Sequence, residues 1–139
     1  MTDEALIQKK LAFIDTCLRE LRSLAHPEAI EQDVKERRFI EHTLQICIQA
    51  IQDVASHIVS DQRLGEPDDN QALLELLASA GWLSQDLVAP LRAAIGFRNV
   101  LVYGYTAVNT AIVRDVVDQH LGDIEAFVSY IRGRLQAVK

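Results

Sequence analysis

Residues that break regular structure are scarce in this chain, which has three prolines and six glycines among 139 residues. A β-sandwich needs a turn signal about every 8–12 residues, so this scarcity argues against many short strands and favours long helices. Hydrophobic residues make up 49% and charged residues 24% of the chain, which is the composition of a globular protein. The length suits one domain over residues 1–139, with a core that needs neither disulfides nor metals.

Positive charge is also in short supply, because 14 lysines and arginines face 20 acidic residues and leave a net charge of −6. This balance excludes broad coating of nucleic acid but leaves room for a local cationic site that engages RNA. Cysteine is rare, and Cys17 and Cys47 both fall in amphipathic patterns that predict reduced core thiols. Four histidines without metal-ligand spacing predict no metal site, and the lack of a glycine-rich phosphate loop predicts no nucleotide cofactor.

Long apolar runs are missing as well. The longest falls far below the ~18 residues that a membrane-spanning helix requires, so no membrane segment is expected. The start of the chain lacks a positively charged segment followed by an apolar run, and no signal peptide is predicted. We therefore expect a cytoplasmic location.

Apolar residues recur at spacings of three and four along almost the whole chain, and no alternating strand pattern occurs. This periodicity predicts an all-α bundle of about five helices, at residues 3–24, 27–61 (with a break near 30–35), 71–80, 85–103 and 110–137. Thr2, Asn70, Ser84 and Asn109 are the predicted N-caps, and Pro90 is placed in the first turns of the fourth helix. Helices of this length leave an apolar strip uncovered, which favours a symmetric dimer.

The segment from Gly96 to Tyr105 is unusual because it places Arg98 and Asn99 in an apolar stretch that ends in Tyr103 and Tyr105. Arginine stays protonated in proteins and presents a planar fork of donors suited to phosphate, so Arg98 is a candidate phosphate ligand. Tyr105 would share its helical face if the helix continued. The alternative interpretation is a salt bridge from Arg98 to a neighbouring helix, with the tyrosines covering the core or an interface.

Asp53 and His57 are four residues apart, so they share one face of the long second helix. They could line the same cleft as Arg98 and orient RNA or the arginine. They could equally form a local pair on a solvated face, and the sequence does not decide between the two interpretations.

The stretch around Arg98 resembles the signature of HEPN ribonuclease toxins of the HepT group: an arginine, four residues, a histidine, one residue and a tyrosine. Arg98 stands at the arginine position, Asn99 at the polar position after it, and Tyr105 at the final tyrosine. The likeness covers nearly the whole chain and follows its helix order. It includes the turn Gly81-Trp82-Leu83, the segment Ala94-Ile95-Gly96-Phe97, the charged run Glu36-Arg37-Arg38, and the polar residues Asp53 and His57.

This resemblance implies a HEPN-type up-down bundle that dimerises through the motif-bearing helices. It further implies a metal-independent endoribonuclease toxin, in which arginine and histidine from two subunits meet at the dimer interface and cut RNA. A nucleotidyltransferase antitoxin is the implied partner, and it would transfer AMP from ATP to the motif tyrosine, which is Tyr105 here.

The histidine position of the motif is occupied by Tyr103. Histidine suits proton transfer because its pKa lies near neutrality, whereas a phenol with a pKa of ~10 is a poor base at neutral pH. We therefore expect a weak or inactive ribonuclease, and the sequence leaves Tyr103 open as an acceptor that competes with Tyr105. The alternative is a non-catalytic HEPN subunit that docks to, or binds substrate for, a nucleotidyltransferase.

Overall fold

The computed structural model describes residues 3–103 and 109–137, with the backbone alone at Tyr103. These residues form helices and no strands, which confirms the all-α prediction. The elements are α1 (Glu4–Ser23), a 3₁₀ turn (Pro27–Ala29), α2 (Val34–Asp61), α3 (Ala72–Ser79), α4 (Gln85–Tyr103), α5 (Thr110–Gln119) and α6 (Leu121–Ala137). None of the helices described is long and apolar enough to cross a membrane.

Four long helices pack as an up-down-up-down bundle. Asp3 donates its backbone N–H to Asp61 at 3.1 Å, and Lys10 pairs with Asp53 at 3.4 Å, so α1 and α2 run antiparallel. Helix α6 runs antiparallel to α1 in turn, through the ion pairs Arg22–Glu125 and Arg132–Asp15. Helix α4 closes the bundle against α2 and α6, and the short α3 packs on α2 and α4. This topology agrees with the predicted up-down order.

The core lies between these helices and is built from their apolar stripes, as the periodicity predicted. Phe127 is its largest fully buried side chain. Cys17 and Cys47 are free and buried, as predicted. A hydrogen bond with the Cys17 thiol, together with burial, raises the pKa of Cys47 above its ordinary value. The Cys47 thiol is therefore protonated and unreactive in the folded protein.

The last predicted helix is divided into α5 and α6 at His120, so the described residues hold six α-helices and not five. The reason is that the two halves pack on different neighbours. Helix α5 is held to the 3₁₀ turn, since Arg114 donates to the carbonyl oxygen of Pro27 at 3.2 Å and pairs with Glu31. Helix α6 packs on α1 and α4, whereas α5 packs on the 3₁₀ turn and on α6.

Within the described residues, the predicted helix ends hold with one exception, the cap of α3. Helix α2 begins at Val34 after the 3₁₀ turn, so the predicted break near residues 30–35 is present, and the side chain of Asp33 caps the helix. The N-cap position of α3 is Gln71, which makes no side-chain cap hydrogen bond, while Asp69 accepts a hydrogen bond from the backbone N–H of Ala72 at 2.9 Å; the predicted cap, Asn70, was wrong. Pro90 lies in the second turn of α4, within the first turns as predicted.

The remaining caps follow the predictions where the structure describes them. Ser84 accepts from the backbone N–H of Asp86 at 3.3 Å, and Asn109 accepts from that of Ala111 at 2.9 Å. Asp3 caps α1 by accepting from the backbone N–H of Leu6, while the predicted cap, Thr2, lies outside the described residues.

Candidate functional site

Arg98, Asn99 and the backbone of Tyr103 lie at one end of the bundle, on the last turns of α4. The beginning of α5 reaches the same end, because Thr110 contacts Glu31 just before the start of α2. Ile48 of α2 lines the same cavity as Ala94 and Phe97 of α4. The turn of α4 that carries Arg98 therefore lies at about the height of Ile48 along the bundle. Three segments far apart in sequence therefore converge around the motif.

Arg98 points toward the bundle, since it follows the buried Leu91 and Ile95 at helical spacing on the same face of α4. The side chain is half-buried, and its Nε atom is buried without a hydrogen-bond partner. No ion pair to Arg98 occurs among residues 3–103 and 109–137. The salt bridge to a neighbouring helix, which the sequence left open, is therefore absent from the described part of one chain.

The other partly buried arginines of the described chain all have partners, which makes Arg98 exceptional. Arg134 lies over the ring of Trp82 at 5.0 Å, and the others form ion pairs: Arg37, Arg92, Arg114 and Arg132. A buried donor without a partner costs about 1–3 kcal/mol. Such a group is retained at a cost to stability, which is typical of a residue kept for a ligand.

The other motif residues do not cluster with Arg98 on one helical face. Asn99 is exposed and lies about 100° around α4 from Arg98. The backbone of Tyr103 is in the last described turn of α4, about 140° from Arg98. Tyr105, the predicted AMP acceptor, lies outside the described residues.

Asp53 and His57 have partners of their own. Asp53 accepts from Gln49 at 2.9 Å and pairs with Lys10, while His57 lies 3.6 Å from Asp61. Neither contacts Arg98 in one chain. Asp53 is five residues beyond Ile48, or about 7.5 Å further from the motif end at the usual helical rise. Their predicted place in the cleft stays a prediction.

A stripe of small residues on α4 escaped the sequence analysis. Ala89, Ala93, Gly96 and Val100 follow one another at spacings of four, three and four, and all but the half-buried Gly96 are exposed. Small residues at this spacing let a second helix approach closely. A search for small residues at helical spacing would have found the stripe.

Comparison with known proteins agrees with this arrangement. Residues 14–131 match the model of the family described as ribonuclease HepT-like. The chain belongs to the HepT-like ribonuclease family. It is 32% identical over 128 residues to the mRNA nuclease HepT of Shewanella oneidensis, which covers 91% of this chain and 96% of that relative. A putative RNase of Archaeoglobus fulgidus is 23% identical, with 94% of both chains covered.

The HepT-like fold is also found in a solved complex. The tri-AMPylated HEPN toxin of Shewanella oneidensis, bound to its MNT antitoxin, superposes with a TM-score of 0.85 at 32% identity. The match covers 96% of this chain and 99% of the toxin chain. The family resemblance and the all-α fold are thus both confirmed, whereas the roles of the motif residues stay predictions.

Proposed function

We propose that this protein is the toxin of a HEPN–nucleotidyltransferase toxin–antitoxin pair, a metal-independent endoribonuclease that Tyr103 has weakened. The observation that carries the proposal is the half-buried Arg98 without a partner among the described residues. A guanidinium in that state binds a phosphate well, since its fork of donors matches phosphate oxygens. The similarity to the mRNA nuclease HepT and to an AMPylated HEPN toxin, both of Shewanella oneidensis, supports this assignment.

In the proposed reaction an RNA 2′-hydroxyl attacks the adjacent phosphorus, and the bond to the 5′ oxygen breaks. Arg98 stabilises the negative charge that builds on the phosphate oxygens, and Asn99 orients the phosphate by hydrogen bonds. One proton must leave the 2′-hydroxyl and another must reach the departing 5′ oxygen. Tyr103 can donate a hydrogen bond but is a poor base at neutral pH, so proton removal is the step that suffers.

The dimer that the reaction requires is supported by the small-residue stripe on α4. Its exposed apolar end, Val100, is two residues from Arg98 but on the opposite side of α4, so two copies packed along the stripe bring the last turns of α4 together while each Arg98 faces its own bundle. We expect Val100→Asp to give monomers in size-exclusion chromatography with light scattering. Phe13→Asp changes another exposed apolar residue, on α1, and should leave the dimer intact. If the Val100→Asp variant remains a dimer, the interface lies elsewhere on the protein.

The proposed control is AMP transfer from ATP to Tyr105 by the antitoxin. The phenol oxygen attacks the α-phosphorus, pyrophosphate leaves, and the phenolic proton passes to a base of the antitoxin. The intact mass of the protein should rise in steps of one AMP after incubation with the partner nucleotidyltransferase and ATP, and Tyr105→Phe should abolish the rise. A rise that persists in Tyr105→Phe and disappears in Tyr103→Phe would move the acceptor to Tyr103.

The ribonuclease assignment is tested by restoring the histidine. Tyr103→His should raise the rate of RNA cleavage about 100-fold or more, which is the usual contribution of a positioned acid or base. Adding Arg98→Ala to that variant should remove the gain. Equal, robust cleavage by the unmodified chain would refute the claim that Tyr103 weakens the site.

Tyr103 also favours a second candidate, a non-catalytic HEPN subunit that docks to the nucleotidyltransferase. This candidate predicts that Tyr103→His remains inactive on RNA although Tyr105 is still AMPylated. The supporting role of Asp53 and His57 is tested in the same assay. Asp53→Asn and His57→Gln, introduced beside Tyr103→His, should slow cleavage if the two residues line the cleft.

A further inference from the structure

A cavity of about 240 Å³ opens beside the motif, enclosed by α4, α5 and the beginning of α6. Phe97 and Ala94 line it from α4, and Ala94 is one helical turn before Arg98. The helix that carries the proposed phosphate ligand therefore also forms one wall of this cavity.

The cavity has an apolar interior and a polar mouth. Ile48 and Ile124 lie with Phe97 inside, while the polar lining residues are Asp115, His120 and Asp123. The two ring nitrogens of His120 contact both carboxylates, at 3.2 Å from Asp115 and 3.3 Å from Asp123. Each carboxylate offers about four lone-pair positions, so both keep acceptor capacity for a ligand.

These features define the chemistry of an occupant. The apolar interior with one aromatic side chain suits a flat ring that stacks on Phe97. The carboxylates repel phosphate and attract N–H donors. These three side chains are not placed to hold a metal ion, since the described residues contain no group of three or more His, Cys, Asp or Glu with that arrangement. A flat, neutral ring with N–H donors on its edge is a nucleobase with an exocyclic amino group.

We propose that this cavity is a nucleobase subsite for an unpaired adenine, cytosine or guanine of the RNA whose phosphate lies on Arg98. The inference rests on the proposed ribonuclease function and adds the determinant of base preference. Proteins recognise single-stranded RNA by stacking splayed bases on aromatic side chains and reading their edges by hydrogen bonds. Phe97 and Arg98 are consecutive, so their side chains point about 100° apart around α4. This divergence lets a base lie on Phe97 while a phosphate of the same RNA strand lies on Arg98.

The carboxylates of Asp115 and Asp123 disfavour uracil and phosphate in the cavity. Uracil has one ring N–H between two carbonyl oxygens, and those oxygens would face Asp115 and Asp123. A phosphate would face the same carboxylates with its own negative charge. The subsite therefore predicts weaker binding of uridine and places the RNA backbone outside the cavity mouth.

The test is binding of adenosine, cytidine, guanosine and uridine to the purified protein, measured by ligand-observed NMR at millimolar concentration. At least one amino-bearing nucleoside should bind about fivefold or more tightly than uridine. Phe97→Leu, which keeps an apolar side chain and removes stacking, should weaken binding about fivefold or more. Asp115→Asn should have a similar effect, while Asp118→Asn, an exposed change on the same helix, should have none.

Two outcomes would overturn the proposal. One is that no nucleoside binds, or that all four bind alike and Phe97→Leu changes nothing; the exposed Ile112 at the rim would then point to contact with a second copy. The other is that adenosine alone binds and single-stranded RNA does not compete, which would assign the cavity to the adenylate of the antitoxin reaction. Failure of the ribonuclease proposal is separate, because Tyr103→His would then not cleave RNA even if nucleosides bind.

Discussion

Arg98→Met should stabilise the fold while it removes RNA cleavage from a Tyr103→His background. The substitution keeps the length and apolar stem of the side chain and removes the guanidinium. Because the Nε atom is buried without a partner among the described residues, the native state loses a desolvation penalty and no described ion pair. Most arginine substitutions in this chain should have the opposite effect on stability.

The magnitude follows from the contacts. A buried donor without a partner costs about 1–3 kcal/mol, and the half-burial of Arg98 favours the lower end, so the free energy of unfolding should rise by about 1 kcal/mol. Arg92→Met is the matched control on the same helix, because Arg92 pairs with Glu75 at the surface. An exposed pair contributes about 0–1 kcal/mol, so the control should lose about 0.5 kcal/mol.

The assay is urea unfolding followed by circular dichroism at one protomer concentration, since the proposed dimerisation would make stability depend on concentration. The free energies of unfolding of the two variants should differ by about 1.5 kcal/mol, because Arg98→Met raises this quantity and Arg92→Met lowers it. If Arg98→Met destabilises the fold as much as Arg92→Met or more, Arg98 is a structural residue. The reasoning that identifies it as a ligand for phosphate would then be wrong.

Three further predictions concern the fold. Gly81 has a φ of +81° and open space around its Cβ position, so Gly81→Ala should lower the free energy of unfolding by about 1 kcal/mol through backbone strain. Gly133→Ala, inside α6, should raise it by about 0.5–1 kcal/mol. Urea unfolding compares the two variants. Phe127→Ala empties the centre of the core and should cost about 3–5 kcal/mol, while the 44%-exposed Phe13→Ala should cost less than about 1 kcal/mol by the same method, and equal losses would contradict the burial argument. Cys47 should resist a thiol-reactive dye in the folded protein, because contact with Cys17 and burial raise its pKa, and it should react once urea unfolds the chain; fast labelling of the native state would disprove this.

The helices were predictable because their apolar faces repeat with the helical period. Helix α4 was predicted at 85–103 and occupies Gln85–Tyr103, and α1 and α3 agree within about two residues. Such a pattern is local, since it requires only that one side of a helix be buried somewhere. The motif arginine was identifiable for a similar reason, since a charged residue stands out in an apolar stretch.

The ion-pair partners of charged side chains and the positions of helix breaks depend on which helices pack together. The sequence could not show whether Arg98 has an ion-pair partner, because that depends on the side chains that α2, α5 and α6 bring to the end of α4. Nor could it show that α5 and α6 separate at His120, since their apolar stripes are continuous in sequence and their packing neighbours differ. The cavity between Phe97 and His120 joins residues 23 positions apart, and only the turn between α5 and α6 places them around one space. Periodicity and composition thus decide which residues are buried, whereas tertiary packing decides which charges are paired and where a site can open.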